Sequence, residues 1–134
     1  MRTSKIKKVM SILLVVGLIT TVGIIGKKLY FAHYKKLADD RIEKVIDFQG
    51  AKLINGKVTV DAYDGKNGNW LKTIYFNDDP EITYDYEYTK SSNEVRVFAW
   101  HKNMSLDLAN KKAKYPLMDV YFDKEGNIIE SEKR

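Results

Sequence analysis

The chain has 134 residues, no cysteine and a formal net charge of +5. Its length suits one small domain, and the lack of cysteine excludes disulfide bonds and thiolate metal sites. The positive charge does not indicate nucleic-acid binding, because eight of the 23 basic residues and no acidic residue precede Leu37. From Leu37 onward 15 basic residues accompany 18 acidic ones, whereas nucleic-acid-binding domains concentrate positive charge on their folded part.

An uncharged apolar stretch covers residues 9–25, between two clusters of basic residues. As a helix it spans about 25 Å, close to the ~30 Å hydrocarbon core of a membrane. We therefore predict a cytoplasmic tail and transmembrane anchor in residues 1–26, a juxtamembrane helix in residues 27–36 and an extracytoplasmic domain in residues 37–134. The side chains expected to span the membrane are Val9, Leu13, Leu14, Val15, Val16, Leu18, Ile19, Val22, Ile24 and Ile25.

Two features of this anchor have alternatives. A cleaved signal peptide has a shorter apolar run and a small-x-small cleavage site, which residues 21–23 and Gly26 match poorly. The basic residues on the two sides of the segment are nearly balanced in number. The denser N-terminal cluster favours a cytoplasmic N-terminus with the domain outside, and a domain facing the cytoplasm is the alternative.

A helical pattern continues from Lys28 to about Asp47 and ends before Gly50, a residue typical of helix C-termini. Asp40 and Lys44 form an i,i+4 pair of opposite charge. The apolar stripe consists of Tyr30, Tyr34, Leu37, Ile42, Val45 and Ile46. We favour packing of this stripe on the chain's own sheet over a coiled-coil partner, because the stripe is short and a strand-rich segment follows.

After Gly50 the apolar residues alternate with a period of two, which predicts strands. The predicted strands are residues 51–54, 57–62, 70–76, 82–89, 94–100, 118–122 and 128–129. Asn55-Gly56 predicts a two-residue hairpin between the first two strands, and the short connections up to residue 100 predict an antiparallel meander. Ser105 begins either a short helix or a less regular segment, and residues 130–134 are expected to fray.

The predicted fold class is therefore α+β. An N-terminal transmembrane helix continues into an amphipathic helix, and the amphipathic helix packs on an antiparallel β-meander.

Candidate catalytic and metal-binding residues are weakly supported by their spacing. His101 and Ser105 lack the strand–turn–helix context of a nucleophilic serine. The carboxylates Asp78 and Asp79 are typical of a solvated turn. Asp61, Asp64, Asn67 and Asn69 do not match a calcium-loop spacing. We predict no catalytic residue, no metal site and no cofactor.

Aromatic residues are the more informative feature of the strands. Tyr84, Tyr86 and Tyr88 alternate with polar residues, which favours burial of the three tyrosines over exposure. The aromatic content nevertheless exceeds what a small core easily buries, and exposed aromatic groups favour partner binding. The predicted partner-binding surface consists of Trp70, Tyr75, Tyr86, Phe98 and Trp100.

Two short motifs, NDDPEITY (residues 77–84) and AKYPL (residues 113–117), follow the lysine-flanked helix. With that helix they resemble a family of small, membrane-anchored proteins of unknown function from Gram-positive bacteria. The resemblance implies an envelope location and no enzyme activity, and it defines no functional residues. A helix followed by a meander is also similar, at the level of fold, to cystatin-like peptidase-associated modules.

We therefore expect a non-enzymatic, membrane-tethered extracytoplasmic domain that binds a protein or peptide partner, with a regulatory, chaperone or immunity role. The alternative is a cell-envelope enzyme, or an accessory domain of one, acting on wall or peptide substrates through loop carboxylates. The sequence leaves the oligomeric state and the identity of the partner open.

Overall fold

A computed structural model describes residues 2–134 of the chain. It divides between His33 and Tyr34 into an N-terminal unit and a C-terminal unit, Tyr34–Arg134. The elements in chain order are α1 (Arg2–Phe48), a 3-10 turn (Leu53–Asn55), β1 (Gly56–Asp64), β2 (Asn69–Phe76), β3 (Thr83–Thr89), β4 (Glu94–Trp100), α2 (Leu106–Lys112), β5 (Met118–Phe122) and β6 (Ile128–Lys133).

The N-terminal unit consists of the first part of α1. Among the helices within residues 2–134, α1 is long and apolar enough to cross a membrane. Its most apolar stretch of 18 residues is fully exposed. The Thr20 and Thr21 hydroxyls donate to the carbonyls of Val16 and Gly17 at 2.7 and 2.8 Å. Both polar side chains are thus satisfied within the helix, as hydrocarbon surroundings require.

α1 ends at Phe48 in a Schellman motif built on Gly50. Gly50 has a φ of +84°, a left-handed conformation that glycine adopts without strain. Its N–H donates to the Asp47 carbonyl at 3.0 Å, and the N–H of Ala51 donates to the Ile46 carbonyl at 3.1 Å. The predicted C-terminal cap at Gly50 is confirmed.

The strands form a six-stranded antiparallel sheet within the described part of the chain, in the order β1-β2-β3-β4-β5-β6. Each strand pairs with the next one in sequence, through short turns except between β4 and β5, where the connection of residues 101–117 includes α2. The predicted α+β fold, a helix on an antiparallel meander, is confirmed.

The core lies between the C-terminal part of α1 and one face of the sheet. The residues that α1 buries are Tyr34, Ala38, Arg41, Ile42, Val45 and Ile46. The sheet contributes Tyr84, Tyr86 and Tyr88, which are at most 1% exposed, so the prediction that these tyrosines are buried is confirmed. Their hydroxyls donate to Asp79, Gln49 and Asn93 at 2.5, 2.7 and 3.0 Å, because a buried hydroxyl needs an acceptor.

A charged network also joins α1 to the sheet. Lys72 on β2 is 6% exposed, and its ammonium group lies 2.6 Å from Asp39 of α1 and 4.0 Å from Asp61 of β1. Lys35 of α1 contacts the same two carboxylates at 2.6 and 3.2 Å. Burial alone would raise the pKa of Asp39, but hydrogen bonds from Lys35 and Lys72 outweigh it and lower that pKa. Asp39 is therefore held in its ionised form.

Two predicted features of the strand-rich half are wrong. The Asn55-Gly56 hairpin does not form, since residues 53–55 make a 3-10 turn and β1 begins at Gly56. Gly56 has a φ of −113° and supplies close packing instead, because an added Cβ would lie 2.7 Å from the Ile74 side chain. Residues 130–134 do not fray, since β6 extends to Lys133 and the Arg134 N–H donates to the Leu117 carbonyl at 3.0 Å.

The structure confirms the short helix α2 after Ser105. The Ser105 hydroxyl accepts a hydrogen bond from the Leu108 N–H at 3.2 Å, as an N-terminal cap does. Ala109 is the residue of α2 that is buried.

Candidate functional site

The sheet face opposite the buried tyrosines carries the candidate site, which we call the open face. Residues paired across antiparallel strands share a face, so the register defines its members. They are Lys57, Val60 and Ala62 of β1, Leu71, Thr73 and Tyr75 of β2, Thr83, Asp85 and Glu87 of β3, Glu94, Arg96, Phe98 and Trp100 of β4, Asp119 and Tyr121 of β5, and Glu130 and Glu132 of β6.

One half of the open face is aromatic. Tyr75, Thr83 and Trp100 lie side by side on β2, β3 and β4, and Phe98 lies in the neighbouring row. Tyr75 and Trp100 are 37% and 38% exposed. A hollow of about 320 Å³ opens there; its lining residues are Tyr75, Pro80, Glu81, Thr83, Trp100, His101 and Lys102. Two half-exposed rings beside a hollow are typical of binding surfaces.

Asp85 holds the Trp100 ring in place. The indole N–H of Trp100 donates to Asp85 Oδ2 at 2.9 Å, and the Thr73 hydroxyl donates to Asp85 Oδ1 at 2.7 Å. Because both carboxylate oxygens are engaged, the exposed indole keeps one orientation. A rigid ring loses little conformational entropy when a partner covers it.

Phe98 is partly covered by the chain's own Arg134. The Arg134 guanidinium lies 4.5 Å from the centre of the Phe98 ring, a cation–π geometry. It also lies 3.1 Å from Asp119 and donates to the Val97 carbonyl. The open face thus already holds one basic side chain between an aromatic ring and a carboxylate.

The other half of the open face is acidic around Glu87. Burial and the charges of Asp85 and Asp64 raise the pKa of Glu87. The Asn69 amide donates to Glu87 at 3.2 Å, and Asn69 is only 6% exposed. The side-chain oxygen of Asn69, Oδ1, has no hydrogen-bond partner among residues 2–134. This end of the face therefore has an unfilled acceptor and repelling carboxylates.

The five residues predicted to bind a partner lie on two different faces of the sheet. Tyr75, Phe98 and Trp100 lie together on the open face. Trp70 and Tyr86 do not belong there, because they are buried on the helix side of the sheet. The indole N–H of Trp70 donates to Asp61 at 2.7 Å. Whether the three remaining residues bind a partner stays a prediction.

The loop carboxylates Asp78 and Asp79 hold the chain together. Asp79 accepts hydrogen bonds from the Tyr84 hydroxyl at 2.5 Å and from the Lys114 N–H at 3.0 Å. Asp78 accepts from the Lys114 ammonium at 2.8 Å and from the Tyr115 hydroxyl. These bonds join the NDDPEITY and AKYPL motifs in one cluster, so both carboxylates already have partners.

The pKa shifts in this cluster follow from the same contacts. Hydrogen bonds from Lys114 and Tyr115 lower the pKa of Asp78. Burial and the hydrogen bond to Asp78 raise the pKa of Tyr115 to about 12. Burial likewise raises the pKa of Tyr84. At neutral pH Asp78 is an ionised acceptor, whereas a general acid needs a raised carboxyl pKa.

The other candidate catalytic and metal-binding residues also have structural roles. Ser105 caps α2, and His101 Nδ1 accepts from the Asn103 N–H at 3.2 Å. Asp64 accepts from Lys66 and Asn67 within its own turn. Within residues 2–134 no three His, Asp or Glu side chains gather as metal ligands would.

Sequence reasoning missed the residues that support the aromatic rings, namely Thr73, Asp85 and Arg134. The polar positions between the tyrosines of β3 were a usable signal for Asp85, since they mark the opposite face of the strand. No local signal could identify Arg134, which contacts Phe98 from 36 residues away along the chain.

Comparisons of the chain with protein-family models, curated proteins and solved structures find no match. The resemblance of the two motifs to a membrane-anchored family therefore stays a prediction.

Proposed function

We propose that this chain is a membrane-tethered, non-enzymatic, extracytoplasmic domain that binds a protein or peptide partner on its open face. The observation that carries the proposal is the pair of half-exposed rings, Tyr75 and Trp100, beside a hollow. Asp85 fixes the orientation of the Trp100 indole. This favours binding, because the ring loses little conformational entropy when a partner covers it. A regulatory, chaperone or immunity role is compatible with this surface.

The membrane anchor supports the location. The uncharged segment of α1 has basic residues on both sides, which suits a single pass through a membrane with anionic lipids. The denser basic cluster lies on the N-terminal side, and basic residues are retained in the cytoplasm. The C-terminal unit then lies outside.

Single cysteines test the orientation, because the chain has no cysteine of its own. Ser4 and Ser91 are both exposed, one before the apolar segment and one in the β3–β4 turn. We expect a membrane-impermeant maleimide to label Ser91→Cys in intact cells and Ser4→Cys only after permeabilisation. The unmodified chain, which has no cysteine to label, is the negative control. Labelling of Ser4→Cys in intact cells with protection of Ser91→Cys would place the domain in the cytoplasm.

Site-specific photocrosslinking in the native membrane tests partner binding. A benzoylphenylalanine at position 100 or 75 is expected to give a crosslinked product whose partner mass spectrometry identifies. Position 48 is the matched control, because Phe48 is an aromatic residue that is 51% exposed and lies at the end of α1, not on the sheet. Identical products from positions 48 and 100, or none from 75 and 100, would contradict the proposal.

A further inference from the structure

We infer, building on the proposed function, that the partner of the open face is a basic, extended peptide segment with a lysine or arginine side chain in the hollow beside Trp100. The side chain would lie against the indole and the Tyr75 ring, with the Glu81 carboxylate as its counter-ion. Lys102 also lines the hollow, but its side chain is exposed and can extend into solvent when a second cation binds. The main chain of the segment would continue over the acidic half of the face.

The charge of the open face favours such a partner. Strands β3 to β6 place six carboxylates on this face: Asp85, Glu87, Glu94, Asp119, Glu130 and Glu132. Two basic side chains lie beside them: Arg96 pairs with Glu94 at 3.0 Å and Arg134 pairs with Asp119 at 3.1 Å, so acidic groups still outnumber basic ones on these described strands. A basic segment relieves the repulsion between carboxylates, whereas an acidic segment increases it.

Glu87 lies at the centre of the acidic half of the open face. Burial and the charges of Asp85 and Asp64 disfavour its ionised form. The side-chain oxygen of the neighbouring Asn69, Oδ1, accepts no hydrogen bond from residues 2–134. The Asn69 oxygen is buried, so a bound basic side chain reaches only Glu87, whose carboxylate accepts the donors that lysine and arginine carry.

Arg134 demonstrates how this face holds a basic side chain. Its guanidinium lies over the Phe98 ring at 4.5 Å and beside Asp119 at 3.1 Å. Trp100 is two residues along the same strand and also lies next to carboxylates, Asp85 and Glu81. Indole attracts cations more strongly than phenyl does, so the hollow repeats the Arg134 arrangement with a better ring.

A neutral sugar would also stack on the Trp100 ring and could donate hydrogen bonds from its hydroxyls to carboxylates, but it would not relieve the repulsion between them. An acidic peptide would be repelled by them. The charge of the ligand therefore separates the basic segment from both alternatives, and the experiment varies charge first.

The test uses the full chain in nanodiscs of phosphatidylcholine, which is neutral overall. Four fluorescent probes are titrated: a neutral N-acetylglucosamine oligomer and three peptides of about seven residues that alternate lysine, glutamate or threonine with serine. About seven residues at ~3.3 Å each match the width of five strands spaced by ~4.8 Å. We expect fluorescence anisotropy to detect saturable binding of the lysine peptide alone. About 500 mM salt should weaken that binding several-fold, because it screens charge.

Variants locate the site. Trp100→Ala is expected to weaken lysine-peptide binding about tenfold, and Trp100→Phe less, because the ring is the cation acceptor. Glu81→Gln should weaken binding without changing circular dichroism, since Glu81 is exposed. Phe48→Ala is the matched control and should leave affinity unchanged. Equal losses in Trp100→Ala and Phe48→Ala would overturn the inference.

The outcomes separate this inference from the proposed function. If the glutamate or threonine peptide, or a neutral N-acetylglucosamine oligomer, binds as tightly and depends on Trp100, the open face binds ligands but is not selective for basic ones. If no probe binds, the inference fails. The proposed function is then decided by photocrosslinking at position 100.

Discussion

Replacing Ile42 with alanine is expected to lower the thermal midpoint of the C-terminal unit by about 15 °C. Ile42 is fully buried in the stripe through which α1 packs on the sheet. Truncation removes apolar contacts and leaves a cavity, at a cost of about 3 kcal/mol. The unit has about one hundred residues, and a unit of that size loses roughly 4–8 °C per kcal/mol.

The measurement is thermal unfolding of the full chain in detergent micelles, followed by near-ultraviolet circular dichroism. This signal reports the packing of buried tyrosines such as Tyr84, whereas the far-ultraviolet signal includes the apolar part of α1, which micelles keep helical. Ile54→Ala is the control, because Ile54 is 91% exposed and its truncation should leave the midpoint unchanged. Equal midpoints for Ile42→Ala and the unmodified chain would show that α1 does not hold the sheet.

Much of the fold could be predicted because the period of the apolar residues is a local property. The strands at residues 94–100 and 118–122 have the predicted bounds, since alternation is uninterrupted in both. Burial of the three β3 tyrosines followed from the same alternation. Gly50 was recognisable because a left-handed cap demands glycine.

The errors occur where a residue is determined by distant contacts. Gly56 follows an asparagine, as in a hairpin turn, yet it is glycine because Ile74 of β2 leaves no room for a Cβ. Residues 130–134 are highly charged and resemble a frayed tail. They are ordered because β5 pairs with β6 and because Arg134 binds Phe98 and Asp119.

The candidate site was only partly predictable for a related reason. Aromatic residues could be recognised in each strand, but assigning them to one face requires the register between strands. Trp70 and Tyr75 are five residues apart on β2 and therefore point to opposite faces, which the alternation within one strand already indicates without any register. Tyr86 was grouped with Phe98 although the two occupy opposite faces, because the β3–β4 register pairs Phe98 with Asp85.

The second large effect is expected at the charged network, where Asp39→Asn and Lys72→Met should differ in their consequences. Removing the Asp39 charge leaves Lys72, which is 6% exposed, with Asp61 at 4.0 Å as its remaining counter-ion. We expect a loss of about 2 kcal/mol, less than for a fully buried pair because Asp39 is partly exposed. The midpoint should fall by about 10 °C.

Lys72→Met should change the stability by no more than about 1 kcal/mol, because the buried charge is removed and an apolar side chain of similar volume replaces it. Asp39 then keeps its ion pair with Lys35 at 2.6 Å. The double variant should recover most of the stability lost in Asp39→Asn, since no unpaired ammonium group remains buried. Thermal unfolding of the four chains in micelles gives this double-mutant cycle.

The pH dependence tests whether the loss in Asp39→Asn is electrostatic. The pKa of Asp39 is lower in the folded chain than its ordinary value near 3.8, so its ion pairs stabilise the fold above that pH. This contribution disappears as the pH falls through the folded-state pKa, when the carboxylate takes up a proton. The midpoints of Asp39→Asn and the unmodified chain should therefore converge as the pH falls below about 3.8, as measured in micelles of a non-ionic detergent. Other carboxylates titrate in the same range, but they are common to both chains and cancel in the difference. A gap of constant size down to pH 2 would instead assign the loss to packing around Lys72, and Lys72→Met would then be expected to destabilise as strongly.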